Sequence, residues 1–253
     1  MFDFLEMNTK EKEFVSSLLK VDENEKVSQC AQRVIDWNFA ARGKHALSTS
    51  EILFQWKLVE EEYNELYDLG ISKNNRKEVI DALCDLFVVS VYADFQTRSL
   101  HETYKDGPYD IFPYITEKNS DIFDNLSILT YYVGQQLANG VVRNTIEIMR
   151  KFNFDYIDAL EEVLDSNDSK IPTVEEFNKE FYKQHFYFSE NDVALEEMIQ
   201  LEADLIEKRN KGRYTGVKGN VVEVNGVNRV VWKDCNGKIM KPLTYFEAKL
   251  GGF

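Results

Sequence analysis

Six acidic residues carry the most chemistry in this chain. They lie in KLVEEEYNELYDLGISKNNRKEVIDALCDLFVV, residues 57–89. Glu61, Glu62 and Glu65 form E-E-x-x-E. Glu78 and Asp81 form E-x-x-D, and Asp85 follows one turn later. On a helix the positions i, i+3 and i+7 share an arc of roughly 60°, so Glu78, Asp81 and Asp85 point one way. Both acidic sets are flanked by apolar residues: Leu58 and Leu69 beside Glu62 and Glu65, and Val89 continuing the stripe of Asp85. Such flanks are unusual on a merely solvated face. Carboxylates that share a partly buried space repel, and a divalent cation relieves the repulsion. With neither His nor Cys on the acidic stripe, the donors are all oxygen, which selects a hard ion: Mg2+, with Mn2+ as a substitute. Di-iron bundles use E-x-x-H, and none of His45, His101 and His185 stands three residues after a Glu.

Positioning these groups takes a pair of helices. The pattern predicts a helix over about Val27–Arg42, a second capped by Thr49 or Ser50 and stopped by Gly70, and a third from about Lys77 to Arg98. The short linker at Gly70 folds the second and third into an antiparallel hairpin, with the two acidic sets facing each other. Further helices are expected over about Leu126–Leu137 and Val141–Leu164, and a charged pair between Thr173 and Lys211. DGPYDIFPYITEKNSD is a loop. The tail RYTGVKGNVVEVNGVNRVVWKDCNGKIMKP alternates apolar and polar residues around N-G turns, the pattern of a two- or three-stranded β-hairpin. The expected fold is mainly α: a helical domain over 1–211, with a loop insertion at about 101–125 and extra helices at about 173–211, followed by a small β-rich appendage over 212–253.

Composition narrows the partners. The 253 residues carry a net charge of −14, which repels nucleic acid and anionic membrane over most of the surface. The three cysteines, widely spaced and without a C-x-x-C pair, suit a reducing cytoplasmic setting. Neither a signal peptide nor a membrane span is evident.

The acidic pattern resembles the signature of the all-α nucleoside triphosphate pyrophosphohydrolases, the superfamily of MazG, dimeric dUTPases, dCTPases and phosphoribosyl-ATP pyrophosphohydrolases. KEVIDALCDLFVV is similar to the E-x-x-D-A-x-x-D helix of the MazG-like phosphoribosyl-ATP pyrophosphohydrolase group common in bacteriophages. EVLDSNDSK resembles that group's E-V-x-x-S-N-x-S-K segment, and NGKIMKPLTY a closing G-K-x-x-K-P motif. The resemblance implies an all-α NTP pyrophosphatase bundle that converts (d)NTP to (d)NMP and pyrophosphate. Glu62, Glu65, Glu78 and Asp81 would be the magnesium ligands, with Glu61 and Asp85 as auxiliary ligands. One of the six, with Glu61 and Glu62 foremost, would orient the attacking water. Lys170 would meet a phosphate, and Asn167 the sugar or a phosphate. A homodimer or larger homo-oligomer is implied, located in the cytoplasm, that of the host if the chain is phage-encoded. A dUTPase or dCTPase of the same fold is the near alternative. A non-catalytic acidic helical interaction protein is the alternative of another class.

Base recognition has a thinner basis. Trp37 could stack on a base and Asn38 read its edge, or both could belong to the core. Lys238 and Lys241 could approach phosphates or lie solvated on the surface. The insertion and the extra helices depart from the superfamily pattern, so the resemblance does not select a substrate.

Overall fold

The computed structural model describes residues 9–43, 48–100, 121–152, 154–185, 193–224 and 226–253, and for residues 9–23 the backbone alone. The chain is mainly helical, with eight α-helices and one two-stranded hairpin among the described residues. The helices are α1 (Thr9–Arg42), α2 (Thr49–Glu65), α3 (Arg76–Leu100), α4 (Ile122–Gly134), α5 (Ala138–Lys151), α6 (Tyr156–Asp168), α7 (Val174–Gln184) and α8 (Leu195–Arg209); β1 is Lys218–Val224 and β2 is Val227–Lys233. Among the described residues, no helix is long and apolar enough to cross a membrane.

Helix α3 forms the axis of the main core. Ile80, Leu83, Leu86, Phe87, Val91 and Tyr92 are buried along it against α1, α2, α5 and α6. From Ser90 to Gln96 every residue of α3 is buried, even the polar Ser90, Asp94 and Gln96. Helix α2 runs antiparallel to it. Gln55 ties them at one end, donating to the Val89 carbonyl at 2.7 Å, and Gly70 meets Val79 at the other.

The elements between these ends depart from expectation in instructive ways. Gly70 does not stop the second helix. The chain passes through it in a π-helical turn, Leu66–Ile71, and a Cβ there would lie 2.8 Å from Val79 Cγ2. The glycine serves close approach of two helices rather than termination. The turn ends at Asn74, with φ of 53°, and the Asn75 side chain accepts from the Glu78 N–H at 3.4 Å to start α3. Ser48, rather than Thr49 or Ser50, caps α2 by accepting from the Glu51 N–H. Helix α1 begins at Thr9, well before Val27. The segment expected as one helix from Val141 to Leu164 is two, because Asp155 caps a new start by accepting from the Asp158 N–H. Helix α4 starts at Ile122 behind its cap Asp121, so helix already occupies the end of the expected 101–125 insertion. The rest of that loop lies outside the described residues.

A second apolar core joins α7, α8 and the hairpin. Phe177, Phe181, Met198, Ile199, Val230 and Trp232 are buried together. Trp232 packs edge-on to Phe177 at 4.9 Å and donates its indole N–H to the Ile199 carbonyl at 3.1 Å. The hairpin pairs Lys218 with Lys233 through to Val224 with Val227 in antiparallel register. Its alternate side chains reach this core on one face. A small cluster of Ala40, Ile171 and Val231 joins the hairpin to α1.

Candidate functional site

The α2–α3 hairpin brings the six acidic residues into one electrostatic neighbourhood. Glu62, Glu78, Asp81 and Asp85 are half-buried, whereas Glu61 and Glu65 are exposed. Burial pushes the Glu62 carboxyl up to about 8, and the charges of Asp85, Glu65, Asp81 and Glu61 push the same way. Asp85 is pushed up to about 7, by burial first and then by Asp81, against the pull of Lys170 and Lys241. Burial and Glu78 raise Asp81. Burial, Asp81 and Glu78 raise Glu65. All six expected acids therefore share one repulsive field spanning both helices.

Among the described residues, none of the six belongs to an ion pair. Equally, among the described residues, no three His, Cys, Asp or Glu side chains converge closely enough to hold one metal ion as they stand. The donor chemistry nonetheless suits a hard divalent cation: only carboxylate oxygens, crowded enough to be driven toward protonation at neutral pH. Glu62, Glu65, Glu78, Asp81 and Asp85 are the residues that could hold such an ion, once their side chains turn toward one another.

Basic groups approach from the end of α6 and from the tail. Lys170 is half-buried, and its Nζ donates to Asn167 Oδ1 at 2.6 Å. Burial lowers its pKa and Lys241 adds to the effect, while Asp85, Glu62 and Asp81 oppose it. Both expected phosphate-side residues thus stand together, with Lys170 within the field of the carboxylates. Lys238 does not join them; it packs over Tyr214 at 5.1 Å.

The chain matches no family model, no curated protein and no solved structure.

The two residues considered for base reading have other partners. Asn38 is buried, and its amide donates to the Val34 carbonyl within α1. Half-buried Trp37 donates its indole N–H to the Asn167 carbonyl at 2.8 Å, holding the end of α6 against α1. That bond makes it a support for the Asn167–Lys170 turn. Lys241, Tyr245 and Glu247 all reach the site's surroundings from the far end of the chain, Glu247 through its charge on Asp81. Of these the sequence pointed only to Lys241, because nothing local in a coil segment tells which distant helix it crosses. A cavity of about 710 Å³ opens beside this region, lined in part by Arg33, Asp168, Lys183, Arg229 and Tyr245. The six carboxylates do not line it.

Proposed function

We propose that this protein is a magnesium-dependent nucleoside triphosphate pyrophosphohydrolase, releasing pyrophosphate from (d)NTP. The observation that carries the reading is the shared field of Glu62, Glu65, Asp81 and Asp85 across two helices, with Lys170 at its edge. Carboxylates that no lysine or arginine neutralises are costly to a fold. Their concentration beside a single half-buried lysine suits a ligand that brings cations and phosphates together. Glu62, Glu65, Glu78, Asp81 and Asp85 would hold the magnesium. The ion supplies, when bound, charge compensation for the phosphates and a lowered pKa for water.

The protein's own groups divide the remaining work. Lys170 provides a point charge for phosphate, held in place by Asn167. Asn167 is steadied in turn by Trp37. Glu62 can accept a proton from an attacking water at the α-phosphorus. Exposed Glu61, adjacent to it, tunes that carboxylate through its charge. Assembly as a homodimer or larger oligomer belongs to the same reading, and light scattering checks it.

The non-catalytic alternative has one observation on its side: among the described residues, no three ligating side chains converge. It predicts that magnesium leaves the protein's stability and spectra unchanged.

The deciding experiment assays pyrophosphate release from a panel of ribo- and deoxynucleoside triphosphates, with magnesium and with chelator. It is repeated on Glu62→Gln and Asp81→Asn. Magnesium-dependent release that both substitutions abolish in folded protein supports the reading. Turnover that neither magnesium nor the substitutions affect removes it.

A further inference from the structure

Residues 238–253 have little regular structure, yet they are tied down along their length. The Leu243 N–H donates to Glu202 Oε1 at 2.9 Å. Thr244 Oγ1 donates to the Ser169 carbonyl at 2.9 Å, and Ser166 Oγ to the Phe246 carbonyl at 2.9 Å. The Lys249 N–H donates to Glu162 Oε1 at 2.9 Å, and Arg76 Nε, at the start of α3, donates to the Phe253 carbonyl at 3.0 Å. The segment is a strap laced from the second core across α6 to the acidic hairpin. A coil fixed at so many points holds its side chains in defined places.

Tyr245 lies on this strap, and two ammonium groups share its ring. Lys241 Nζ is 4.2 Å from the centroid and Lys170 Nζ is 5.9 Å from it. Among the described residues neither lysine is in an ion pair, although Asp85 acts on both. Two like charges gathered on one aromatic ring repel, and the ring's attraction for a cation at an exposed site is weak. Opposite charges are thus held near one another without collapsing into pairs. An anionic ligand with several charges relieves the crowding of the lysines, as a hard cation relieves that of the carboxylates.

We propose that Lys241, delivered by the C-terminal strap and seated on Tyr245, forms with Lys170 a two-point anchor for a polyphosphate chain. The proposal rests on the phosphate-handling reading of the acidic hairpin and gives it a second half, made in cis by residues 238–253. A chain of linked phosphates can meet two separate point charges at once, whereas a long nucleic acid is repelled by the charge of −14.

The test is calorimetric titration of the full chain with inorganic tripolyphosphate in magnesium buffer. It compares the unaltered protein with Lys241→Gln, Lys241→Arg and Lys238→Gln, each checked by thermal unfolding. Loss of one charge-assisted contact weakens binding by about tenfold. Lys241→Gln should show that loss, Lys241→Arg, which keeps both the charge and the contact with the ring, should stay within about threefold of the unaltered protein, and Lys238→Gln should bind unchanged. Lys241→Gln binding as tightly as the unaltered protein overturns the anchor. So does an equal loss in Lys238→Gln, which would make the effect one of general charge, and so does failure of the unaltered protein to bind tripolyphosphate. The two readings fail separately. Tripolyphosphate binding with the expected pattern but without hydrolysis of any triphosphate removes the hydrolase and keeps the anchor. Hydrolysis with an unchanged KM in Lys241→Gln removes the anchor and keeps the hydrolase.

Discussion

Asp165 and Asp168, at the end of α6, have Arg33 between them at 2.5 and 2.6 Å. Glu202, fully buried in the second core, accepts from Arg209 at 2.5 Å and from the Leu243 N–H at 2.9 Å. Glu62 and Asp85, on α2 and α3, have no comparable partner among the described residues, and their carboxyls are pushed up to about 8 and about 7. The same residue types thus serve two ends. Where an arginine or a backbone N–H meets the carboxylate, charge ties elements of the fold together. Where nothing meets it, repulsion is left in the folded state, and that is tolerable only if stability elsewhere is sufficient or a ligand offsets it.

The sharpest break of this contrast is in activity. Glu62→Gln and Asp81→Asn should each reduce magnesium-dependent pyrophosphate release by about 100-fold or more, the scale of losing a group that handles charge in the transition state. Unlike most half-buried substitutions, Glu62→Gln should leave the metal-free protein at pH 8 as stable as the parent or more so. Paired activity and melting measurements check both halves. A variant that loses stability along with activity would place Glu62 with the structural carboxylates.

Arg209→Met should have the opposite profile. It leaves Glu202 buried with a single N–H, and should cost about 2 kcal/mol in urea unfolding, a value reduced because Arg209 is itself 46% exposed. A cost near zero would mean that Glu202 is not held by its arginine.

The unpaired carboxylates should also show in the pH dependence. Glu62 and Asp85 are raised in the folded state above their ordinary values of 4.5 and 3.8. The native protein therefore holds their protons more tightly than the unfolded chain does. The stabilisation is complete below pH 4 and is lost as pH rises through 7 to 8. In chelator, the melting temperature should fall by about 5 °C between pH 5 and pH 8.5. On the proposed reading, in which magnesium meets the ionised carboxylates of the folded state, the metal should flatten the fall. A flat profile in chelator would show that the field on α2 and α3 is weaker than its crowding implies.

Arg33→Gln should give the smallest effect. Its pairs with Asp165 and Asp168 are partly exposed, so about 1 kcal/mol is at stake. Pyrophosphate release should change by less than about threefold. A larger loss would show that the end of α6, and with it Lys170, depends on that arginine for position.

Much of this molecule could be read from local pattern alone. The mainly helical class, the α2–α3 pairing and the C-terminal hairpin follow from apolar periodicity and from turn residues, which act over a few positions. The grouping of the acids by face follows from 3.6 residues per turn. Breaks made without glycine or proline were not legible: α5 and α6 separate at Asp155, whose cap competes with a helix that its neighbours would allow. Gly70 misled for the converse reason, since a glycine that ends helices elsewhere here admits Val79. Long-range partners were equally hidden. Asn38 and Trp37 look alike in the sequence as candidates on one helix, and only packing buries the first and hands the second to Asn167. Burial, the mutual charge on Glu62 and Asp85, and the arrival of Lys241 and Tyr245 beside Lys170 depend on residues far apart in the chain but close in space. Spacing along one helix sets which side chains share a face, but only the packing of helix, hairpin and strap decides what that face meets.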